Sequence, residues 1–210
     1  MKREKLIQSI TSHLIPVKRI FPSWIIFLIW ALFASVTVLI FVWNRSENFS
    51  FLYIPEYKFD LVFAFLTVIS CGFVAIYTSI PGNKVKGKFL FTPVTLFSIW
   101  VFTILIRFFL NMEASVSTNF SYHYCTKDIL LMSVPSASVL IYIINRRLPL
   151  KKNWIGFWVV TASSSMSIIG VSFLCSNELP THTLSVHILP VILVGLMGTF
   201  LGKLLFREKY

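Results

Sequence analysis

Six apolar runs dominate the sequence of this 210-residue chain. Each run has about twenty residues, the length at which a helix crosses the hydrocarbon core of a bilayer. Segments inside a bilayer must also satisfy their backbone groups internally, which helices do. The pattern predicts an all-α, polytopic membrane protein, a bundle of six transmembrane helices. The predicted spans are residues 24–43, 59–80, 89–111, 129–144, 154–174 and 184–206.

The charged residues indicate how this bundle is oriented. Only 13% of the residues are charged, yet the net charge is +11. Lysine and arginine concentrate before residue 24 and at 84–88, 146–152 and 203–209, whereas most acidic residues fall in the alternate loops. Because cations favour the cytoplasmic side of a membrane, both termini are predicted to be cytoplasmic. Cations placed in this way orient a membrane protein, so direct binding to nucleic acid is not expected.

Residues 1–23 are predicted to form a cytoplasmic amphipathic tail, and residues 24–210 the six-helix transmembrane domain. Helical spacing places four apolar side chains on one side of residues 4–15, and Pro16 ends that segment. These side chains are Leu6, Ile7, Ile10 and Leu14. A helix this short is marginal alone in water. Its apolar side therefore needs a partner, and both a groove on another protein and the lipid bilayer surface remain open.

The cysteines and histidines are the remaining candidates for a metal-binding or redox site. Cys125 is predicted in the second outer loop and Cys175 at the start of the third, whereas Cys71 fits ordinary packing in mid-membrane. The histidines near the outer pair are His123, His182 and His187. Thiolate with imidazole suits zinc or copper, and thiols outside the cytoplasm tend to pair. A structural disulfide, a redox or metal sensor, and unrelated free thiols all remain open.

Two stretches resemble a known family. IPVKRIFPSW, residues 15–24, resembles the Pro-Val-Arg-Arg-Leu-x-Pro-Pro-x-x signature of the NrsF-like anti-sigma factors. The ending CSNELPTHTLSVHILPVILVGLMGTFLGKLLFREKY is similar to that family's ending, in which a cysteine and a polar turn precede a last helix with small-residue spacing. Lys18 stands where the family has arginine, Ser23 replaces a second proline, and Val186 replaces a tryptophan.

The resemblance implies a bacterial inner-membrane protein that sequesters an extracytoplasmic-function sigma factor. It matches Cys125 and Cys175 to paired periplasmic cysteines, so that a redox or metal signal would release the sigma factor. The cytoplasmic motif falls on Pro16, Val17, Lys18, Arg19 and Pro22, which join the apolar side of the tail as the expected sigma-binding segment. No resident cofactor is expected, and a heavy-metal ion would bind only transiently.

The sequence gives less support to other classes of function. There is no Gly-rich phosphate loop and no Cys-x-x-Cys pair, so an enzyme is not expected. The alternative is an inner-membrane transporter of a small solute or metal, with TASSSMS at residues 161–167 as its polar path. Gly198 and Gly202 have the spacing that lets helices approach closely, within the bundle or in a homodimer. Arg107 is expected to extend its charge to the membrane interface.

Overall fold

The computed structural model describes residues 21–45, 55–81, 87–110, 122–147, 149, 151–175 and 179–206. All regular structure in these ranges is helical, which confirms the all-α class. The elements are α1 Ser23–Arg45, α2 Pro55–Thr78, α3 Gly87–Leu110, α4 Tyr122–Asn145, α5 Lys152–Ser172, α6 Pro180–His182, a π-helical segment Thr183–Ile188, and α7 Leu189–Leu205.

Six helical stretches of the described chain are long and apolar enough to span a membrane. They are α1 to α5 and the continuous stretch Pro180–Leu205, which joins α6, the π segment and α7. This confirms the six predicted spans. Because their number is even, Phe21 and Phe206 lie at one end of the bundle, the terminal end. The opposite end, where α1 finishes and α4 begins, is the cysteine end.

The start of α4 differs from the prediction. Its span begins at Cys125, so this cysteine lies in the helix and not in the preceding loop. The polar residues that suggested a loop have partners on neighbouring elements. Thr126 donates to the carbonyl of Val186 at 3.1 Å, and the carboxylate of Asp128 lies 3.6 Å from the guanidinium of Arg45. These contacts allow the helix to continue for a turn beyond the apolar run.

Helix α5 lies at the centre of the bundle and packs against α1, α2, α4 and α7. Most of its residues are buried, including Ser163, Ser164 and Ser165. The surrounding helices turn large apolar side chains outward, among them Leu110 and Phe200. A polar helix inside and an apolar surface outside are what a bundle in lipid requires, because lipid contacts the outer helices only.

Small residues bring α5 and α7 into backbone contact. Gly156 of α5 faces Gly198 and Gly202 of α7. A Cβ atom at Gly198 would stand 2.7 Å from the carbonyl oxygen of Gly156 and 2.8 Å from a methyl carbon of Val160. The glycine spacing in the sequence is therefore used for packing within the chain.

An ion pair joins α2 to α3 within their spans. Nη2 of Arg107 donates to both carboxylate oxygens of Asp60, at 2.8 and 2.7 Å, and the indole nitrogen of Trp100 donates to one of them at 3.0 Å. The sequence analysis expected Arg107 to extend toward the membrane interface, and the structure adds Asp60 as its partner. A carboxylate within reach offsets much of the cost of holding a guanidinium away from water.

The predicted tail lies almost wholly outside the described residues, so its separation from the helical domain stays a prediction. Its described part begins at Phe21, two residues before the start of α1. Pro22 is exposed, and its carbonyl accepts hydrogen bonds from the backbone N–H groups of Ile25 and Ile26 at 3.1 and 3.4 Å. The chain therefore enters α1 through a defined first turn.

Candidate metal and redox site

Four side chains converge at the cysteine end of the bundle. Cys125 lies in the first turn of α4, Cys175 three residues after α5, His182 at the end of α6, and His187 in the π segment. Their sulfur and ring-nitrogen atoms all lie within 4.8 Å of one another. All four residues are buried. We call this group the cysteine–histidine cluster.

The contacts inside the cluster are close. The Sγ atom of Cys175 lies 3.2 Å from Nε2 of His182. The rings of His182 and His187 meet edge to face, with centroids 5.2 Å apart. The two sulfurs are not joined by a disulfide in this structure. Cys175 is held in place by its backbone N–H, which donates to the carbonyl of Val171 at 2.8 Å.

The π segment explains how His182 and His187 reach the same side of the chain. In an α-helix, residues five apart point about 140° away from each other. A π-helix bonds each N–H to the carbonyl five residues back, and its wider turn brings such residues toward one side of the helix. That register is present here, since the N–H of Leu189 bonds to the carbonyl of Leu184. The local departure from α-helix thus builds half of the cluster.

A hydrogen bond from α4 supports the π segment. Pro190 has no N–H to offer the carbonyl of Val186 four residues back. The hydroxyl of Thr126 donates to that carbonyl at 3.1 Å. Because Thr126 follows Cys125 and Val186 precedes His187, this bond links a thiol to an imidazole through adjacent backbone. Thr126 is a site residue that the sequence analysis missed.

The surroundings of Cys175 favour its charged form. A hydrogen bond from the Cys125 thiol, followed by those from His182 and His187, lowers the pKa of Cys175 well below its ordinary value against the opposing effect of burial. The thiolate is the form of cysteine that binds metal ions and attacks oxidants. The lowered pKa thus favours the protonation state of Cys175 that either reaction uses.

The cluster has the donors of a tetrahedral site for a soft or borderline metal ion. Zinc takes two thiolates and two imidazoles with bonds of about 2.3 Å to sulfur and about 2.0 Å to nitrogen, which sets its ligand atoms about 3.3 to 3.8 Å apart. The four ligand atoms lie within 4.8 Å. A contraction of up to about 1.5 Å would close the site around an ion. The same sulfurs could alternatively form a disulfide, with an S–S bond of about 2.0 Å.

The structure brings four of the predicted site residues together. Cys125, Cys175, His182 and His187 form the cluster. Cys71 is buried in α2, as expected for packing. The side chain of His123 lies outside the described part of the chain. So do Leu6, Ile7, Ile10, Leu14, Pro16, Val17, Lys18 and Arg19, and only Pro22 of the predicted sigma-binding residues is described.

Comparison with known proteins identifies the family. The sequence matches the model of the family NrsF, negative regulator of sigma F, over residues 10–207. Comparisons with curated proteins and with solved structures gave no match. The family match covers most of the chain, including all six spans and the cluster. The chain therefore belongs to the NrsF family, whose name identifies its members as negative regulators of a sigma factor.

Proposed function

We propose that this protein is a membrane-embedded anti-sigma factor that sequesters an extracytoplasmic-function sigma factor at the bacterial inner membrane. A thiophilic metal ion or an oxidant acting on the cysteine–histidine cluster releases the sigma factor. Family membership supports the coarser statement, negative regulation of a sigma factor. The finer statement is supported by the burial of two thiols and two imidazoles together, at the end of the bundle opposite the termini.

The proposed docking segment is the tail, residues 1–22, on the cytoplasmic side. Support comes from the distribution of charge, because cations concentrate in the segments at the terminal end. The tail offers an apolar side for a groove, and Lys18 and Arg19 offer cations for an acidic face of the sigma factor. The cluster, at the other end, faces the periplasm in this arrangement. One chain thus contacts both compartments.

We call release by a metal ion the metal branch and release by an oxidant the redox branch. In the metal branch, the ion draws the four ligand atoms of the cluster closer to one another. Cys125 belongs to α4, whereas the other ligands belong to the chain between α5 and α7. Closing the site therefore pulls α4 toward the start of the sixth span. Zinc(II) and copper(I) fit the donors best, since thiolate and imidazole are their preferred ligands. An ion shifts the equilibrium only because the contracted bundle binds it better than the open one.

In the redox branch, an oxidant removes two electrons and the two sulfurs bond. A disulfide reagent such as oxidised glutathione would accept the electrons and carry away the thiol protons as two reduced thiols. The Cys125–Cys175 bond also shortens the distance between α4 and the loop after α5. Both branches therefore pull on α4 in the same direction.

Binding of the sigma factor is tested by charge reversal in the tail. The Lys18→Glu, Arg19→Glu double variant should lose co-purification with its partner sigma factor, because the docking cations become repulsive. The Lys2→Glu, Arg3→Glu variant carries the same change of charge outside the motif and should keep its partner. Equal binding by both variants, and by a chain lacking residues 1–22, would contradict docking by the tail.

The sensor is tested with a reporter gene controlled by the sigma factor. Wild-type cells should respond to zinc or copper salts and to a thiol oxidant, and the Cys125→Ser, Cys175→Ser variant to neither. Cys71→Ser, which removes a buried thiol outside the cluster, should respond normally. The His182→Ala, His187→Ala variant separates the branches, since it should lose the metal response and keep the oxidant response. A full response in the double-serine variant would refute the assignment.

A further inference from the structure

Helix α4 connects the two ends of the bundle. It carries Cys125 in its first turn, and Arg147 follows two residues after its last residue, Asn145. A helix rises about 1.5 Å per residue, so these positions lie about 33 Å apart, the thickness of a membrane. A displacement of α4 at the cluster can therefore be transmitted along the helix to the terminal end of the bundle.

Arg147 holds three parts of the chain together at that end. Its side chain is buried although it is charged. Nη1 donates to the carbonyl oxygen of Ile76 at 3.2 Å, and Nη2 donates to the carbonyl oxygen of Phe21 at 3.1 Å. Ile76 belongs to the last turn of α2, and Phe21 lies two residues before the start of α1. The planar fork of a guanidinium suits this role because its donors are fixed relative to one another.

The neighbouring cation behaves differently. Arg146 is exposed and bonds to Tyr142, one turn earlier in its own helix. Arg147, in contrast, makes no ion pair with any carboxylate in the described ranges. It neutralises the negative end of α2, whose last carbonyls lack helical partners. Ser79 donates to the same Ile76 carbonyl at 2.6 Å. The bond to Phe21 is what distinguishes Arg147 from an ordinary helix cap.

Two further contacts hold α1 beside α4 in the middle of the bundle and at the cysteine end, so a pull on the first turn of α4 turns α4 about them and displaces its far end relative to the start of α1. The indole nitrogen of Trp30 donates to the carbonyl of Ser136 at 3.0 Å in the middle of the bundle. At the cysteine end, Arg45 lies 3.6 Å from Asp128, one turn after Cys125 in α4. The two helices are thus linked at three levels along the bundle. The link at the terminal end, from Arg147 to Phe21, reaches the backbone that leads into the tail.

We propose that Arg147 is a positioning residue that holds the sigma-binding tail in its repressing position, and that contraction of the cluster breaks its bond to Phe21. This inference rests on the proposed function. The bond is 3.1 Å long, and a hydrogen bond is lost beyond about 3.5 Å, so a shift of about half an ångström is enough. The contraction estimated for metal binding is larger than this.

Hydrogen–deuterium exchange of the purified protein tests the link without a sigma factor. Loss of the bond should let the first turn of α1 fray, so zinc chloride should accelerate exchange at the Ile25 and Ile26 amides of the wild type about 2- to 12-fold, the range for loss of one hydrogen bond. Arg147→Gln should exchange at the faster rate with or without zinc. Arg146→Gln should behave as the wild type.

The reporter gives the matching result in cells. Arg147→Gln should release the sigma factor without any signal, and Arg146→Gln should stay repressed and inducible. Ser79→Ala removes a bond to the Ile76 carbonyl without touching Phe21, and it should also stay inducible. If Arg147→Gln does not accumulate in membranes, Arg147→Lys decides, because it keeps the charge but lacks the planar fork of donors that reaches the two carbonyls from two separate nitrogens. It should show partial release.

The outcomes separate this inference from the proposed function. If Arg147→Gln remains repressed and zinc still accelerates exchange, Arg147 does not hold the tail. Release by Ser79→Ala would assign the effect to the end of α2 and also overturn the inference. No change of exchange in the wild type with zinc chloride or with diamide overturns it as well. A wild type that changes exchange as expected but does not bind a sigma factor instead refutes the proposed function alone.

Discussion

Replacement of Gly198 by alanine tests whether α5 and α7 touch backbone to backbone. The new Cβ would stand 2.7 Å from the carbonyl oxygen of Gly156 and 2.8 Å from a methyl of Val160. Ordinary contact begins at 3.4 Å, so the helices must separate by about 0.7 Å. Overpacking of this kind costs about 1 to 3 kcal/mol. For a chain of this size the melting temperature should fall by roughly 2 to 12 °C.

The measurement is thermal unfolding of the purified protein in detergent, followed by tryptophan fluorescence. Gly87→Ala is the matched control, since a Cβ at the start of α3 meets nothing within 4 Å. It should melt at or slightly above the wild-type temperature, because alanine favours a helix over glycine. If Gly198→Ala melted at the same temperature as Gly87→Ala, the result would contradict a close approach of α5 and α7.

Three further substitutions test individual contacts by chemical denaturation or zinc titration. Arg107→Gln should lower the free energy of unfolding by about 2 kcal/mol because the Asp60 carboxylate loses its cation, and adding Asp60→Asn should restore part of the loss. Thr126→Val should cost about 1 kcal/mol and weaken zinc binding, whereas Thr126→Ser, which keeps the hydroxyl, should do neither. Trp30→Phe should cost about 1 to 3 kcal/mol, because it removes a buried hydrogen bond to the Ser136 carbonyl and part of a fully buried ring, whereas Trp43→Phe, at an exposed position, should change little. Equal effects of Thr126→Val and Thr126→Ser, or of the two tryptophan variants, would contradict these contacts.

The six spans were predictable because the hydrophobicity and length of a segment can be read from its own residues alone. A run of apolar residues has a length, and that length either reaches across a bilayer or does not. The prediction failed at the start of α4, where Thr126 and Asp128 are polar and suggest a loop. They belong to a helix because partners on other elements satisfy them. Those partners are distant in the sequence, so local composition gives no sign of them.

The cluster was predictable only in part, for a related reason. His182 and His187 lie near Cys175 in the sequence, which was enough to suggest ligands. Their joint orientation depends on the π segment, and the hydrogen-bond register of that segment reflects Pro190 and the hydroxyl of Thr126. The pairing of Arg107 with Asp60 likewise requires that α2 and α3 be neighbours. Spacing in the sequence does not carry this information.

The polar residues of α5 bear on the choice between a regulator and a transporter. A transport path needs polar groups that face a cavity and can exchange partners with a substrate. Ser164 and Ser167 donate to carbonyls one turn back in α5 itself, from Val160 and Ser163, whereas the hydroxyls of Ser163 and Ser165 are buried without a hydrogen bond to any described residue. Gly156 in the same helix is pressed against α7. Helix α5 is thus the closely packed centre of the bundle. In the mechanism proposed above, movement falls to α4, which carries Cys125 and contacts α1.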